Sequence, residues 1–189
     1  MSGISPGHMV AGYEAGAFPM DSDPPDGPVG WYTTDPRCVI RVEDARIPRT
    51  VARMLRKRGY EARVDTAFRQ VLEACGGDRE GVWLTPRLMR GYEALFELGI
   101  AHSVEAWDGD RLVGGLFGVA LGRFITAESM FHTAPDGGNA AIAGLIHIAR
   151  ANDFALIDVQ MQSPHVMRFG ASLMDADEFA EALATAIDG

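Results

Sequence analysis

The sequence predicts an α/β protein built on a mixed β-sheet, and three observations lead to that class. From residue 60 onward, apolar positions at alternating and at helical spacing follow one another in the order β-α-α-β-β-β-α-β. The turn Asp108–Gly109–Asp110 joins two long alternating stretches into a hairpin. The run Phe154–Gln160 is almost continuously apolar and follows a helix, as expected of a strand covered on both faces and parallel to the strand before that helix.

Taken in chain order, residues 1–45 are rich in Gly, Pro and Asp, include DSDPPDGP, and show little periodicity. They are expected to form a small irregular unit with two brief strands, the second around Cys38–Val42, leaving 46–189 as the main domain. Tyr60–Val64 reads as a short strand. Asp65 or Thr66 then caps a helix with Phe68, Val71, Leu72 and Cys75 on one face. Thr85–Pro86 opens a second helix through Leu88, Met89, Tyr92, Leu95 and Phe96, closed by Gly99. The hairpin pairs Ala101–Trp107 with Arg111–Leu121, and Arg123–Phe131 follows as a third strand. Asp136–Gly137–Gly138 opens a helix with Ile142, Leu145, Ile146 and Ala149 inward. A short helix at Pro164–Arg168, a strand near Ala171–Met174 and an amphipathic helix from Asp175 complete the chain.

At 189 residues with 47% hydrophobic and 23% charged content, the chain can bury a substantial core. It has no apolar run approaching the roughly 18 residues of a membrane span and no signal-peptide pattern, so a soluble cytoplasmic protein is expected. Two cysteines, Cys38 and Cys75, make no disulfide framework. No P-loop, GxSxG, HExxH or CxxC spacing is present, and no metal site is expected. The net charge of -9 disfavours general nucleic-acid binding. Eight of the seventeen basic residues nevertheless fall within 41–63, among them Arg49, Arg53, Arg56, Lys57 and Arg58. That stripe is either a solvated helix face or a local contact for a phosphate backbone.

Three stretches carry candidate chemistry. Trp31–Tyr32 beside Asp35–Pro36–Arg37 can stack on a base and contact a phosphate, or supply a small core. Glu105 and Glu128 interrupt apolar strands, where a carboxylate is costly unless paired or facing a cleft. In LIDVQ, alternation points Ile157 and Val159 one way and Asp158 and Gln160 the other, near the C-terminal end of a central strand, where open parallel sheets place ligands.

The element order resembles the GCN5-related acetyltransferase fold. The segments GYEAGAFPM, WYTTDPR, FRQVLEAC…DREGVWLT, GIAHSVEAW, LVGGLFGVALG, AESMF, FALIDVQ and HVMRFGA, from about Met9 to Ala171, resemble the leucyl/phenylalanyl-tRNA–protein transferase family. The resemblance implies a monomer without metal or cofactor that moves leucine or phenylalanine from charged tRNA to proteins beginning with Arg or Lys, marking them for N-degron degradation. It implies that Trp31 and Trp107 hold the terminal adenosine and that Leu116, Met130 and Ile157 line the amino-acid pocket. It further implies that Glu128, Asp158 and Gln160 form the polar centre and that the stripe from Arg49 to Arg58 tracks the acceptor stem. Departures include Asp136-Gly137-Gly138-Asn139, where the family often has Asp/Asn-Ala-Ser-Lys, and Asp158-Val159-Gln160 in place of Asp-Cys-Gln. Two other readings fit the same fold: an acyl-CoA-dependent N-acyltransferase, for which the loop HTAPDGGNA lacks most of the expected pyrophosphate signature, and a non-catalytic binder of basic N-termini.

Overall fold

Most strands assemble into one mixed sheet whose two faces the helices cover, and the first two strands pair apart from it as a two-stranded ribbon. The computed structural model describes residues 4–21, 27–77 and 83–189. Parts of the DSDPPDGP run and of the DREGVWLT segment therefore lie outside the described residues. The N-terminal part comprises α1 (Pro6–Glu14), β1 (Phe18–Met20), β2 (Gly30–Tyr32), β3 (Arg37–Arg41) and α2 (Arg49–Arg58). Next come β4 (Glu61–Val64), α3 (Phe68–Cys75), α4 (Pro86–Glu97), β5 (Ala101–Asp108), β6 (Arg111–Leu121), β7 (Phe124–Thr126) and β8 (Ser129–His132). The chain ends with α5 (Gly137–Ala151), β9 (Leu156–Gln160), α6 (Pro164–Met167), β10 (Ser172–Met174) and α7 (Ala176–Asp188). Strands run in the order β10-β3-β9-β7-β6-β5-β4, with β8 also on β6. The β7–β9 pair is parallel, as expected of strands flanking a crossover helix.

Alternation along the strands divides the core. Ile40, Ile125 and Ile157 face α5 and α2, whereas Val39, Phe124 and Leu156 face α7. On that second side, α1, α3 and α4 bury Met9, Tyr13, Phe68, Leu72, Leu88 and Tyr92 beneath β5 and β6. The start of α5 meets β6 backbone to backbone at Gly137 and Gly114, an approach that leaves no room for a Cβ on either.

Three local expectations differ from the structure. Helix α1 occupies a segment expected to be irregular; its glycines blur the periodicity, but Ser5 caps it and Pro6 sits at its first turn. Strand β3, grouped by sequence with the N-terminal unit, lies inside the main sheet between β10 and β9. Finally, neither Asp65 nor Thr66 caps α3 with its side chain. Asp65 adopts a left-handed φ of 58° and its carboxylate accepts from the Ser103 N–H at 2.7 Å.

The α3 cap comes from another element. Glu105, 0% exposed on β5, accepts from the Thr66 and Ala67 N–H groups at 3.3 Å each and from the Thr66 and Ser103 hydroxyls at 2.7 and 2.6 Å. This carboxylate is structural: four donors satisfy it, and it places negative charge at a helix N-terminus. Glu105→Ala is expected to lower the unfolding free energy by roughly 1–3 kcal/mol in urea titration, with transfer by the folded fraction unchanged. A midpoint equal to that of the parent would remove this role.

Candidate active site

The strand expected over Arg123–Phe131 is broken, and the break creates the site. The Ala127 N–H bonds the Asp158 carbonyl on β9 at 2.8 Å, while the next N–H, of Glu128, bonds Phe117 on β6 at 2.9 Å. Successive residues thus hold opposite neighbours, and β8 leaves β9 to stay on β6. On the α5 side of this opening lies an apolar cavity of about 100 Å³, lined by Leu116, Met130, Ile142, Leu145, Ile157 and Val159. Its size suits one amino-acid side chain and falls well below the ~300 Å³ at which cofactor-sized pockets begin. On the other side lies a cleft of about 110 Å³ lined by Phe18, Met20, Trp83, Glu128, Gln160 and Met161.

Asp158 is 0% exposed and forms a two-pronged ion pair with Arg37, at 2.9 Å from Nε and 2.6 Å from a terminal nitrogen. Arg37, for which a phosphate contact was one of two readings open in the sequence, is itself 1% exposed and cannot serve as one. Its guanidinium lies between the rings of Phe18 (4.9 Å) and Phe179 (4.8 Å), so β1 and α7 clamp the cation that holds Asp158. Asp158 therefore does not open onto the cleft. Its Oδ1 also accepts the Gln160 N–H at 2.9 Å, which makes it a support for Gln160.

Gln160 departs from simple alternation. The register between β3 and β9 slips at Cys38/Val39, so Val159 has no partner on β3, and Gln160 adopts a left-handed φ of 57°. A non-glycine residue there costs on the order of 1–3 kcal/mol unless its surroundings hold it. Asp158 holds its N–H, and the Thr34 hydroxyl donates to its carbonyl at 3.0 Å. The side-chain amide satisfies its donors on the carbonyls of Ala127 (3.2 Å) and Val159 (3.0 Å). That orientation turns the amide oxygen toward the Glu128 carboxyl, 3.5 Å away.

Glu128 ends a chain of tyrosines. Tyr92 donates to its Oε2 at 3.2 Å, and the Tyr13 and Tyr92 hydroxyls lie 2.8 Å apart in the core. Desolvation, above all, and the nearby Asp158 charge raise the carboxyl from its ordinary 4.5 to about 7, despite opposing hydrogen bonds from Thr126, Tyr13 and Tyr92. Two oxygens, one of them on a carboxyl poised near neutrality, thus converge on the cleft. An amine entering there finds a hydrogen-bond acceptor and a proton acceptor side by side.

The two tryptophans assigned to the adenosine lie elsewhere. Trp31 packs on Gly12 and meets Tyr13 edge-on with centroids 6.1 Å apart, so it backs the tyrosine chain. Trp107 pairs with Leu112, whereas Glu128 bonds Phe117 five residues farther along β6, roughly 17 Å away. Its ring lies under the Arg63 guanidinium at 4.8 Å. Of the three tryptophans, Trp83 lines the cleft. Its residue type was the available signal, but its position before a helix cap gave no hint of direction. Tyr92 was legible only as one apolar position of a helix, and Arg37 as a candidate phosphate contact rather than as the partner of Asp158.

Arg49, Arg53, Arg56, Lys57 and Arg58 are all exposed on α2, which packs on the α5 side through Val51. The last three favour the helix C-terminus, and Arg58 pairs with Asp136 at 3.4 Å. Asp136 also accepts from Asn139 at 3.2 Å, so the start of α5 already faces a carboxylate, an arrangement unfavourable to a pyrophosphate. Among the described residues no group of three or more His, Cys, Asp or Glu is arranged to hold a metal, and no helix is long and apolar enough to cross a membrane.

Residues 39–184 match the family described as Leucyl/phenylalanyl-tRNA protein transferase, and residues 3–35 match that family's N-terminal domain. The chain is 42% identical over 183 residues to the leucyl/phenylalanyl-tRNA–protein transferase of Azoarcus sp. (strain BH72), covering 95% of this chain and 77% of that protein. It is 41% identical to the one from Rubrobacter xylanophilus, covering 97% and 95%. Among solved structures, it is similar to the GCN5-related glucosamine N-acetyltransferase region of a fungal multi-domain β-N-acetylglucosaminidase. The TM-score is 0.54 at 12% identity, covering 89% of this chain and 22% of that one, a likeness of fold alone.

Proposed function

The chain belongs to the leucyl/phenylalanyl-tRNA–protein transferase family, and on that premise we propose that it transfers leucine or phenylalanine, with methionine a third candidate, from aminoacyl-tRNA to the α-amino group of proteins beginning with Arg or Lys. The modified proteins would enter N-degron degradation, and the enzyme would work as a cytoplasmic monomer. The observation that carries this reading is the split at Ala127–Glu128, with a side-chain-sized apolar cavity on one side and two oxygen acceptors in an aromatic-lined cleft on the other.

The donor side chain fills the cavity at Leu116, Met130 and Ile157, and the terminal adenosine lies across the open mouth of the cleft, against Trp83, Met20 and Phe18, because the cleft is too small to enclose it. The acceptor amine hydrogen-bonds the Gln160 oxygen and attacks the ester carbonyl. An aminoacyl ester is already activated, so alignment supplies much of the acceleration and the chemistry calls for no cofactor. As the C–N bond forms, Glu128 takes the proton that the nitrogen loses. The C–O bond then breaks, and the departing ribose hydroxyl recovers a proton. Asp158, neutralised by Arg37, keeps the Gln160 backbone in place. The exposed cations of α2 supply phosphate contacts for the acceptor stem.

The test supplies radiolabelled leucyl- and phenylalanyl-tRNA with an Arg-starting and an Ala-starting acceptor. Label is expected on the Arg-starting protein alone. No label on either, or equal label on both, overturns the transfer or its specificity respectively.

A further inference from the structure

Among the Phe, Trp and Tyr side chains of the described residues, Tyr32 is the one left exposed, at 51%. Its position is set by the β1–β2 ribbon. Register pairs Phe18 with Tyr32 and Met20 with Gly30, so these four residues share one face while Pro19 and Trp31 take the other. A Cβ on Gly30 would lie 2.7 to 3.0 Å from the Tyr32 ring atoms. The ring therefore lies across Gly30, which has no side chain to push it away, and beside Met20. All three residues of β1, Phe18, Pro19 and Met20, line the cleft that holds Glu128 and Gln160, and Tyr32 is the direct β2 partner of Phe18. Tyr32 continues that wall outward, with its free ring surface toward solvent.

We propose that Tyr32 is the stacking platform for the base immediately 5′ to the terminal adenosine of the donor tRNA. The assignment rests on the reading that the cleft takes that adenosine. A single strand leaving the cleft along this wall passes over the ring. A flat aromatic surface binds a base through its π-face, and the base at this position is the same cytidine in every donor tRNA. The ring belongs to a ribbon whose partner strand touches the adenosine, so the two subsites hold a fixed spacing.

The experiment compares two non-hydrolysable donors, leucyl-amide analogues of adenosine and of the cytidine–adenosine dinucleotide. The parent enzyme is expected to bind the dinucleotide more tightly. Tyr32→Ala is expected to lose that advantage, a loss of roughly 5- to 100-fold for one base–aromatic stack, with Kd for the adenosine analogue held. Tyr32→Phe and Tyr32→Trp should keep the advantage. Equal weakening of both analogues by Tyr32→Ala, or an unchanged dinucleotide advantage, overturns the platform. Failure of the parent enzyme to bind the adenosine analogue overturns the cleft assignment, and the platform with it.

Discussion

Asp158→Ala is expected to lower stability by about 3–5 kcal/mol and to abolish transfer. The size follows from what the substitution leaves behind. Arg37 is 1% exposed, held between two aromatic rings, and meets its counter-charge at 2.6 and 2.9 Å. Removing the carboxylate strands a guanidinium in a site that excludes water. It also deprives the Gln160 N–H of its acceptor at a left-handed residue. A urea titration of the variant measures the loss, and a difference below about 1 kcal/mol would rule out a desolvated pair. The double variant Arg37→Met, Asp158→Leu separates stability from function. Replacing both charges by apolar groups is expected to recover much of the stability while transfer stays lost. Normal transfer by that double variant would reduce Asp158 to a scaffold role unrelated to Gln160.

Glu128→Gln is expected to cut kcat by roughly 10²–10⁴-fold, the usual contribution of a positioned proton acceptor, with a smaller effect on donor affinity. The amide preserves shape and can still bond Tyr92, so the loss reports the missing base. The pH profile carries the sharper signature. In the parent enzyme the carboxylate forms as pH rises through about 7, giving a rising limb there. The acceptor amine titrates near 7.7–8 and adds a second. The variant should keep only the second limb. Stability runs the opposite way. Burial holds the Glu128 proton in the folded state from the ordinary 4.5 up to about 7, so the native state binds more protons in that window and stability falls as pH rises through it. Glu128→Gln should flatten that fall. A variant profile that retains both limbs would assign the lower one to another group.

Most of the element order from residue 60 onward is readable in the chain, because helical and alternating periodicities are local properties of an apolar face; α1 and the break between β7 and β8 are not. The hairpin at Asp108–Asp110, the α4 start at Thr85–Pro86 and the α7 cap at Asp175 stand where their residue types put them. The sequence by itself also singled out Asp158 and Gln160, since polar groups on a strand covered on both faces need a reason. Tertiary structure decided everything that depends on who faces whom. It gave Asp158 to Arg37 across β3, made Glu105 a helix cap and Glu128 a cleft residue, and split one expected strand into β7 and β8. It moved Trp31 and Trp107 away from the cleft and put Trp83 in it. The reason is physical. Periodicity records which face of an element is buried, but a carboxylate's role is set by the donors that reach it from distant parts of the chain, here 36 to 121 residues away.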